Sequence, residues 1–492
     1  MTLVAERLPT TATPEAVAAA FRGEPGLQLL RGGQPDLPQA RFSYLAARPF
    51  LTFRADGSRC ELRPTRGHPS VQYGNPWSLL ESLLARYEVL ESADPPLPLG
   101  AALGFFGYDL RRHLEPRLAH GVPPDLPVPD LWLAFYDSLL AFDHLTQETW
   151  ILSTGMLPDG SRHPGHARQA ADRWRHILQC ASQAPPPSPP PSTPTHLRHH
   201  SIPSNFTRTT FTSAVQQALQ FIRSGDIYQV NLAQRFGPVP VPDPWEFWTT
   251  LYQRSPAPCA AFLDAGDFQI ASVSPELFLR LHDRNIVTRP IKGTRPRSSN
   301  PQEDLRLAQE LESSPKELAE LLMITDLLRN DLGRVCSYGS VTVPDLRRLE
   351  RFAQVQHLVS TVQGLLRPGL THVAALAACF PGGSITGAPK IRAMEIIDQL
   401  EPVARGPYTG CAGFLGFNRR SELNILIRTA VISQGQAWYH AGAGIVADSH
   451  PDAEYDETLD KAQPFFAALD TAVTSPDLPQ PQPQSQPIPA PV

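Results

Sequence analysis

Residues 184–204 constrain the fold most, because a run dominated by proline and then by His196, His199 and His200 cannot pack into a core. It reads as a linker. The chain is thereby expected to divide into an N-terminal α+β region over 1–183 and a denser region over 205–470. A Pro/Gln-rich tail, 471–492, has the composition of a disordered segment. With 492 residues, 41% of them hydrophobic, the flanks hold enough apolar material for two or more domains or one large composite core.

The remaining composition excludes several function classes. A formal charge of -5 without a long basic run gives nucleic-acid binding no electrostatic support. No apolar run approaches the length of a membrane span, and Met1 to Thr11 lacks the continuous apolar core of a signal peptide. The six cysteines are scattered singly and read as small buried hydrophobes in a reducing compartment. The expectation is a cytoplasmic chain with neither nucleic acid nor membrane as partner.

In the N-terminal region, Phe50 to Arg54 and Leu131 to Phe142 read as strands. Pro76 to Val89 reads as a helix whose stripe of Trp77, Leu80, Leu83, Leu84 and Tyr87 faces a core. Gly100 to Asp109 fits a buried strand and turn better than a nucleotide loop. Beyond the linker, Phe211 to Gly225 is an amphipathic helix closed by glycine. Asp226 to Phe236 alternates as a strand, and its polar side, with Gln229 and Asn231, is either a solvated face or the wall of a site.

Chemistry concentrates at four places. The stretch Thr288 to Arg297 sets Lys292 between Pro290, which ends a β-branched strand, and Gly293, which permits a sharp turn. Lys292 is then either a surface lysine in a basic turn or a buried one, pushed towards its neutral, nucleophilic form by three neighbouring arginines and desolvation. Asp304 to Arg334 has helical composition and carries Glu317 and Glu320 on one face. Glu454 and Glu457 repeat that spacing within Asp452 to Ala468. Each pair alone reads as surface helix charge; together, beside Gly442, Gly444 and Asp448, they suit an oxygen-ligated Mg²⁺. Finally, Phe380 to Lys390 is a glycine-rich turn with Gly383, Thr386 and Gly387. It feeds a helix through Ala388 to Leu400 with Pro389 in its first turn. Exposed amides there form an anion seat, and the failed Walker pattern favours a carboxylate over a nucleoside triphosphate.

These motifs, in this order, resemble the chorismate-utilising family that includes the anthranilate and aminodeoxychorismate synthases. The similarity runs from Gly225 to Ala233 (Gly-Asp-Ile-Tyr-Gln-Val-Asn-Leu-Ala) through Ser272 to Glu276, the lysine stretch, Asp326 to Gly333, Phe380 to Arg392 and Gly442 to Thr458. It is weaker at Leu29 to Gly33 and Gly104 to Asp109. Pro-Ile-Lys-Gly-Thr, where anthranilate synthases resemble Pro-Ile-Ala-Gly-Thr, and Ala-Gln-Arg-Phe at Ala233 to Phe236 are similar to the aminodeoxychorismate branch. Gln229 stands where water-using relatives carry a lysine base, so nitrogen chemistry is implied.

The resemblance implies an α+β fold of antiparallel sheets packed as a sandwich with surrounding helices. It implies Mg²⁺ on Glu320 and Glu457 with support from Glu317 and Glu454, neutralising the ring carboxylate of chorismate. Arg428 and Tyr408, with amides of the glycine turn, would hold the enolpyruvyl carboxylate, and Lys390 would add charge. Glu276 matches the general acid that protonates the departing C4 hydroxyl, and His357 a residue that positions it. Lys292 would attack C2, and ammonia would then enter at C4 and expel the lysine; the alternative is a lysine that only steers ammonia by charge. The implied product is 4-amino-4-deoxychorismate, a precursor of p-aminobenzoate and folate. No glutaminase arrangement of Cys, His and Glu is apparent, so a separate glutamine amidotransferase subunit is the expected ammonia source. Formation of anthranilate, or a non-catalytic role in docking the amidotransferase, are the competing readings.

Overall fold

The computed structural model describes residues 3–34, 37, 39–118, 121–183, 202–352 and 354–472. Most of the expected linker, including its histidines, and nearly all of the 471–492 tail lie outside the described residues. Among the described residues two large antiparallel sheets, of eleven and twelve strands, pack together with helices around them, the α+β sandwich expected. The first sheet starts at Val4–Pro9 and ends at Gln436–Ile445, Gln229–Pro240 and the short Gly387–Ala388. At one end of the second lie Ile291–Pro296, Val355–Leu365 and Asn285–Arg289.

Both sheets draw strands from both sides of residues 184–204. Gln28–Arg31 pairs with Cys259–Asp264 in the first, and Ala101–Phe106 with Cys411–Gly416 in the second. The latter pairing explains the glycines of that region: the backbones meet at Gly104 and Gly413, and a Cβ at either position would collide with neighbouring backbone. Phe105 and Trp132 of one sheet meet Phe268 of the other edge-on, at ring separations of 5.8 and 6.2 Å, in a continuous apolar core. The outer face of the first sheet is covered by helices that include Pro164–Gln183, Pro244–Arg254 and Pro451–Ala472. Among the described residues no helix is long and apolar enough to cross a membrane.

Several local expectations change. The segment Asp304 to Arg334 is two helices, Pro301–Ser313 and Pro315–Gly333. Ser314 caps the second by accepting from the Glu317 amide, and Pro315 has no N–H with which to continue the first. The helix after the glycine turn is Lys390–Leu400, with Pro389 at its N-cap rather than in its first turn, because Gly387 and Ala388 are taken up in pairing with Gln229 and Val230. Leu131 to Phe142 is broken into two strands at Asp137, and the helix from Pro76 stops at Ala85. The Phe211 helix begins earlier, at Arg208, behind a Thr207–Thr210 capping box, and Gly225 follows it at φ +80°.

Candidate active site

The lysine stretch is a strand at the end of its sheet and not a turn. Ile291–Pro296 pairs with Val355–Leu365, and Gly293, at φ +67°, makes the bulge that interrupts the register between Lys292 and Thr294. A side chain at Gly293 would press on Leu311 and on Glu317, so the bulge sets the strand close against the helix Pro315–Gly333. Lys292 reaches across to the other sheet: a Cβ added at Gly444 would stand 3.5 Å from Lys292 Nζ and 3.2 Å from Gln229 Nε2. The three arginines do not crowd it. Arg289 pairs with Glu350, Arg295 with Glu310 and Glu317, and Arg297 with Asp304. Lys292 stands instead 3.5 Å from an acid, Glu320.

Glu320 opens a cluster of alternating sign. Lys316 lies 4.0 Å from it on the same helix, and on the facing helix Pro451–Ala472 Lys461 lies 2.7 Å from Glu457 Oε1 and donates to the Gly442 carbonyl at 2.8 Å. Glu457 is partly desolvated although its side chain is 47% exposed, and Lys461, with Lys292 and Lys316 beyond, outweighs that and holds the carboxyl below its usual range. Glu454 goes the other way, raised by burial and by Glu457, and its Oε2 is buried with no hydrogen-bond partner. Among the described residues no three acidic, histidine or cysteine side chains converge tightly enough to enclose a cation, since lysines stand between them. The donor type, hard carboxylate oxygen, is the one Mg²⁺ takes, and Glu454 Oε2 is buried without a hydrogen-bond partner.

Glu276 is buried beside the glycine turn, where Ser384 Oγ donates to its Oε1 at 2.6 Å. Burial pushes its carboxyl up to about 7, against the Ser384 bond and the attraction of Lys292 and Lys461. A protonated carboxylic acid thus persists close to neutral pH. His357 is neutral: burial and the Arg428 guanidinium lower it to about 4, and its Nδ1 lies 2.9 Å from Thr294 Oγ1 and 3.3 Å from the Gly293 carbonyl oxygen. Among the described residues no carboxylate lies within ion-pair reach of Arg428, which leaves a desolvated cation for an anionic ligand.

The polar side of the strand Gln229–Pro240 is the wall of this site and not a solvated face. Gln229 is 0% exposed, yet both of its amide atoms, and Asn231 Nδ2, lack partners. Tyr408 stacks on His440 at 4.9 Å with its hydroxyl beside Asn231, and a Cβ at Gly442 would come within 2.7 Å of that hydroxyl. Across the wall lies the turn. Asn231 donates its amide to Thr386 O at 2.8 Å, while the hydroxyl of Thr386 donates to the carbonyl of Gly382. Gly383 and Gly387 are packed so closely against Leu327 and the Gln229 carbonyl that neither tolerates a side chain.

Lys390 is not free to add charge to an anion seat: it donates to Asp331 at 2.7 Å and to the Cys379 carbonyl at 3.0 Å, tying the turn to the helix Pro315–Gly333. Two contributors were missed in the sequence. Lys461 is signalled by its i,i+4 spacing from Glu457, and Ser384 lies inside the glycine turn without any pattern to mark its partner.

The profile of the chorismate binding enzymes matches residues 36–467. Aminodeoxychorismate synthase component 1 of Salmonella typhimurium is 42% identical over 441 residues, 89% of this chain and 91% of the relative. Anthranilate synthase component 1 of Acetivibrio thermocellus is 36% identical over 450 residues, covering 91% and 90%. The crystal structure of anthranilate synthase component I from Streptococcus pneumoniae superimposes with a TM-score of 0.75 at 31% identity, covering 87% of this chain and 93% of that one. The chain belongs to the chorismate-binding enzymes.

Proposed function

We propose that this enzyme aminates chorismate at C4, giving 4-amino-4-deoxychorismate. The observation that carries the reading is the placement of Lys292, directed across the cleft to Gly444 and Gln229, with a protonated Glu276 close enough to feel its charge. The similarity to aminodeoxychorismate synthase component 1 of Salmonella typhimurium supports it.

In this reading Arg428, Tyr408 and the turn Gly383 to Gly387 seat the enolpyruvyl carboxylate. Lys292 forms a bond from its side-chain nitrogen to C2 while both ring double bonds shift round the ring and the C4–O bond breaks. Glu276 gives its proton to the departing hydroxyl, which leaves as water, and neutral His357 orients that group. Ammonia then bonds to C4, both double bonds return, the C2–N bond breaks and Lys292 leaves; the incoming nitrogen gives back the proton that Glu276 spent. The two displacements place nitrogen at C4, whereas a single attack at C2 leads towards anthranilate. Glu320 and Glu457, with Glu317 and Glu454, would hold Mg²⁺, which when bound neutralises the ring carboxylate.

A glutamine amidotransferase subunit supplies the ammonia, consistent with the "component 1" in the names of the relatives. The product serves p-aminobenzoate and folate synthesis in the cytoplasm. The test is incubation with chorismate, Mg²⁺ and ammonium, followed by a lyase that releases p-aminobenzoate. Anthranilate without p-aminobenzoate overturns the C4 assignment. Stimulation of a glutaminase with chorismate left unchanged favours a docking subunit instead.

A further inference from the structure

Arg405 follows the helix Lys390–Leu400 and is 2% exposed, so its five N–H donors must be satisfied inside the protein. Each has a partner. Nε and Nη2 form a fork on Glu401 at 2.9 and 2.7 Å, and Nη2 also reaches the Asn231 carbonyl at 2.7 Å. Nη1 donates to the Ile385 carbonyl at 3.1 Å and to Thr409 Oγ1 at 3.2 Å. Glu401 Oε1 accepts in turn from the Ala233 amide at 2.9 Å. The guanidinium carbon lies 4.9 Å from the centre of the Tyr108 ring and 5.5 Å from that of Tyr408.

One planar cation therefore joins three parts of the site: the wall at Asn231 and Ala233, the glycine turn at Ile385, and the Tyr408 ring. Asn231 is fixed from both sides, because its amide is held by Thr386 and its carbonyl by Arg405. The geometry points to Arg405 as a positioning residue, with Glu401 as its orienting partner, that sets the distance between the turn and Tyr408 on one side and Gln229 and Asn231 on the other. It touches no reacting atom. Its role depends on the fork, since a lysine at 405 keeps the charge but cannot satisfy Glu401, Asn231 and Ile385 at once.

The inference rests on the reading that this cleft binds chorismate. Arg405→Lys should weaken chorismate binding, measured calorimetrically with Mg²⁺ and without ammonium, and raise the chorismate KM, each at least tenfold, with kcat falling less than threefold. Glu401→Gln keeps the size and one acceptor and should raise KM severalfold; it decides the matter if the lysine variant does not fold. Leu178→Ala, buried in the helix Pro164–Gln183 at the opposite end of the first sheet, serves as a control for lost stability. Chorismate affinity within twofold of wild type in folded Arg405→Lys or Glu401→Gln overturns the role, as does an equal KM rise in Leu178→Ala. A wild-type product that is anthranilate alone overturns the C4 assignment and leaves this measurement valid, because it reads substrate affinity.

Discussion

Lys292 Nζ and Glu320 Oε2 stand 3.5 Å apart, so the proposed nucleophile rests against a proposed metal ligand. Lys292→Ala should abolish aminodeoxychorismate formation in a protein that still folds, even though a side chain only 16% exposed and paired with Glu320 is removed. Trapping of a chorismate-derived adduct on any other lysine, read by mass spectrometry, refutes its role.

Glu276 gives a pH signature. Its carboxyl is raised to about 7 by burial, so the acid form required for leaving-group protonation is lost as pH rises through that value, and kcat/KM should fall on the alkaline side. Glu276→Gln should lower kcat by roughly 10²–10⁴-fold. The Ser384 hydroxyl favours the ionised form, so Ser384→Ala should move the alkaline limb to higher pH. A limb that stays in place in Ser384→Ala counts against the assignment.

Glu320→Gln and Glu457→Gln should each raise the Mg²⁺ concentration for half-maximal activity at least tenfold, about 1.4 kcal/mol in cation affinity. Identical titration curves for both variants and wild type would remove these carboxylates from the metal site.

Gly442→Ala would place a methyl group 2.7 Å from the Tyr408 hydroxyl and 3.0 Å from Asn231 Nδ2. The phenol must move, so the chorismate KM should rise with a smaller change in kcat. An unaltered KM means that Tyr408 does not hold the substrate.

Lys390 offers a stability prediction instead. Its partner Asp331 has a side chain only 3% exposed, and Lys390→Met leaves that carboxylate unpaired, at a cost of about 3 kcal/mol. Denaturant unfolding should show this loss, and the remaining activity should keep a chorismate KM close to that of wild type. A large KM change with normal stability would return Lys390 to the anion seat.

Local signals in the sequence located much of this. The i,i+3 carboxylate pairs, the bounded helix before Gly225 and the strand and turn around Gly104 all depend on neighbours in the chain. What stayed hidden depends on distant partners. Three arginines around Lys292 suggested repulsion, yet their acids lie as many as 61 residues along the sequence, and Lys390 was read as spare charge because Asp331 stands 59 residues before it. The break at Pro315 was legible in principle, but helix-favouring composition on both sides masked it. Arg405 carries no motif signal: its function lies in five hydrogen-bond directions that exist only once the strand, the turn and the loop have met.

The interleaving of both sheets also bears on how the protein is made. When Gln28–Arg31 leaves the ribosome, its partner Cys259–Asp264 has not been synthesised, and Ala101–Phe106 waits longer still for Cys411–Gly416. Until then the nascent chain presents unpaired, strongly apolar strand edges, the state in which non-local β-structure is most exposed to aggregation. A gene cut within codons 184–201 should give two fragments that are insoluble alone and recover a soluble, chorismate-binding enzyme when produced together.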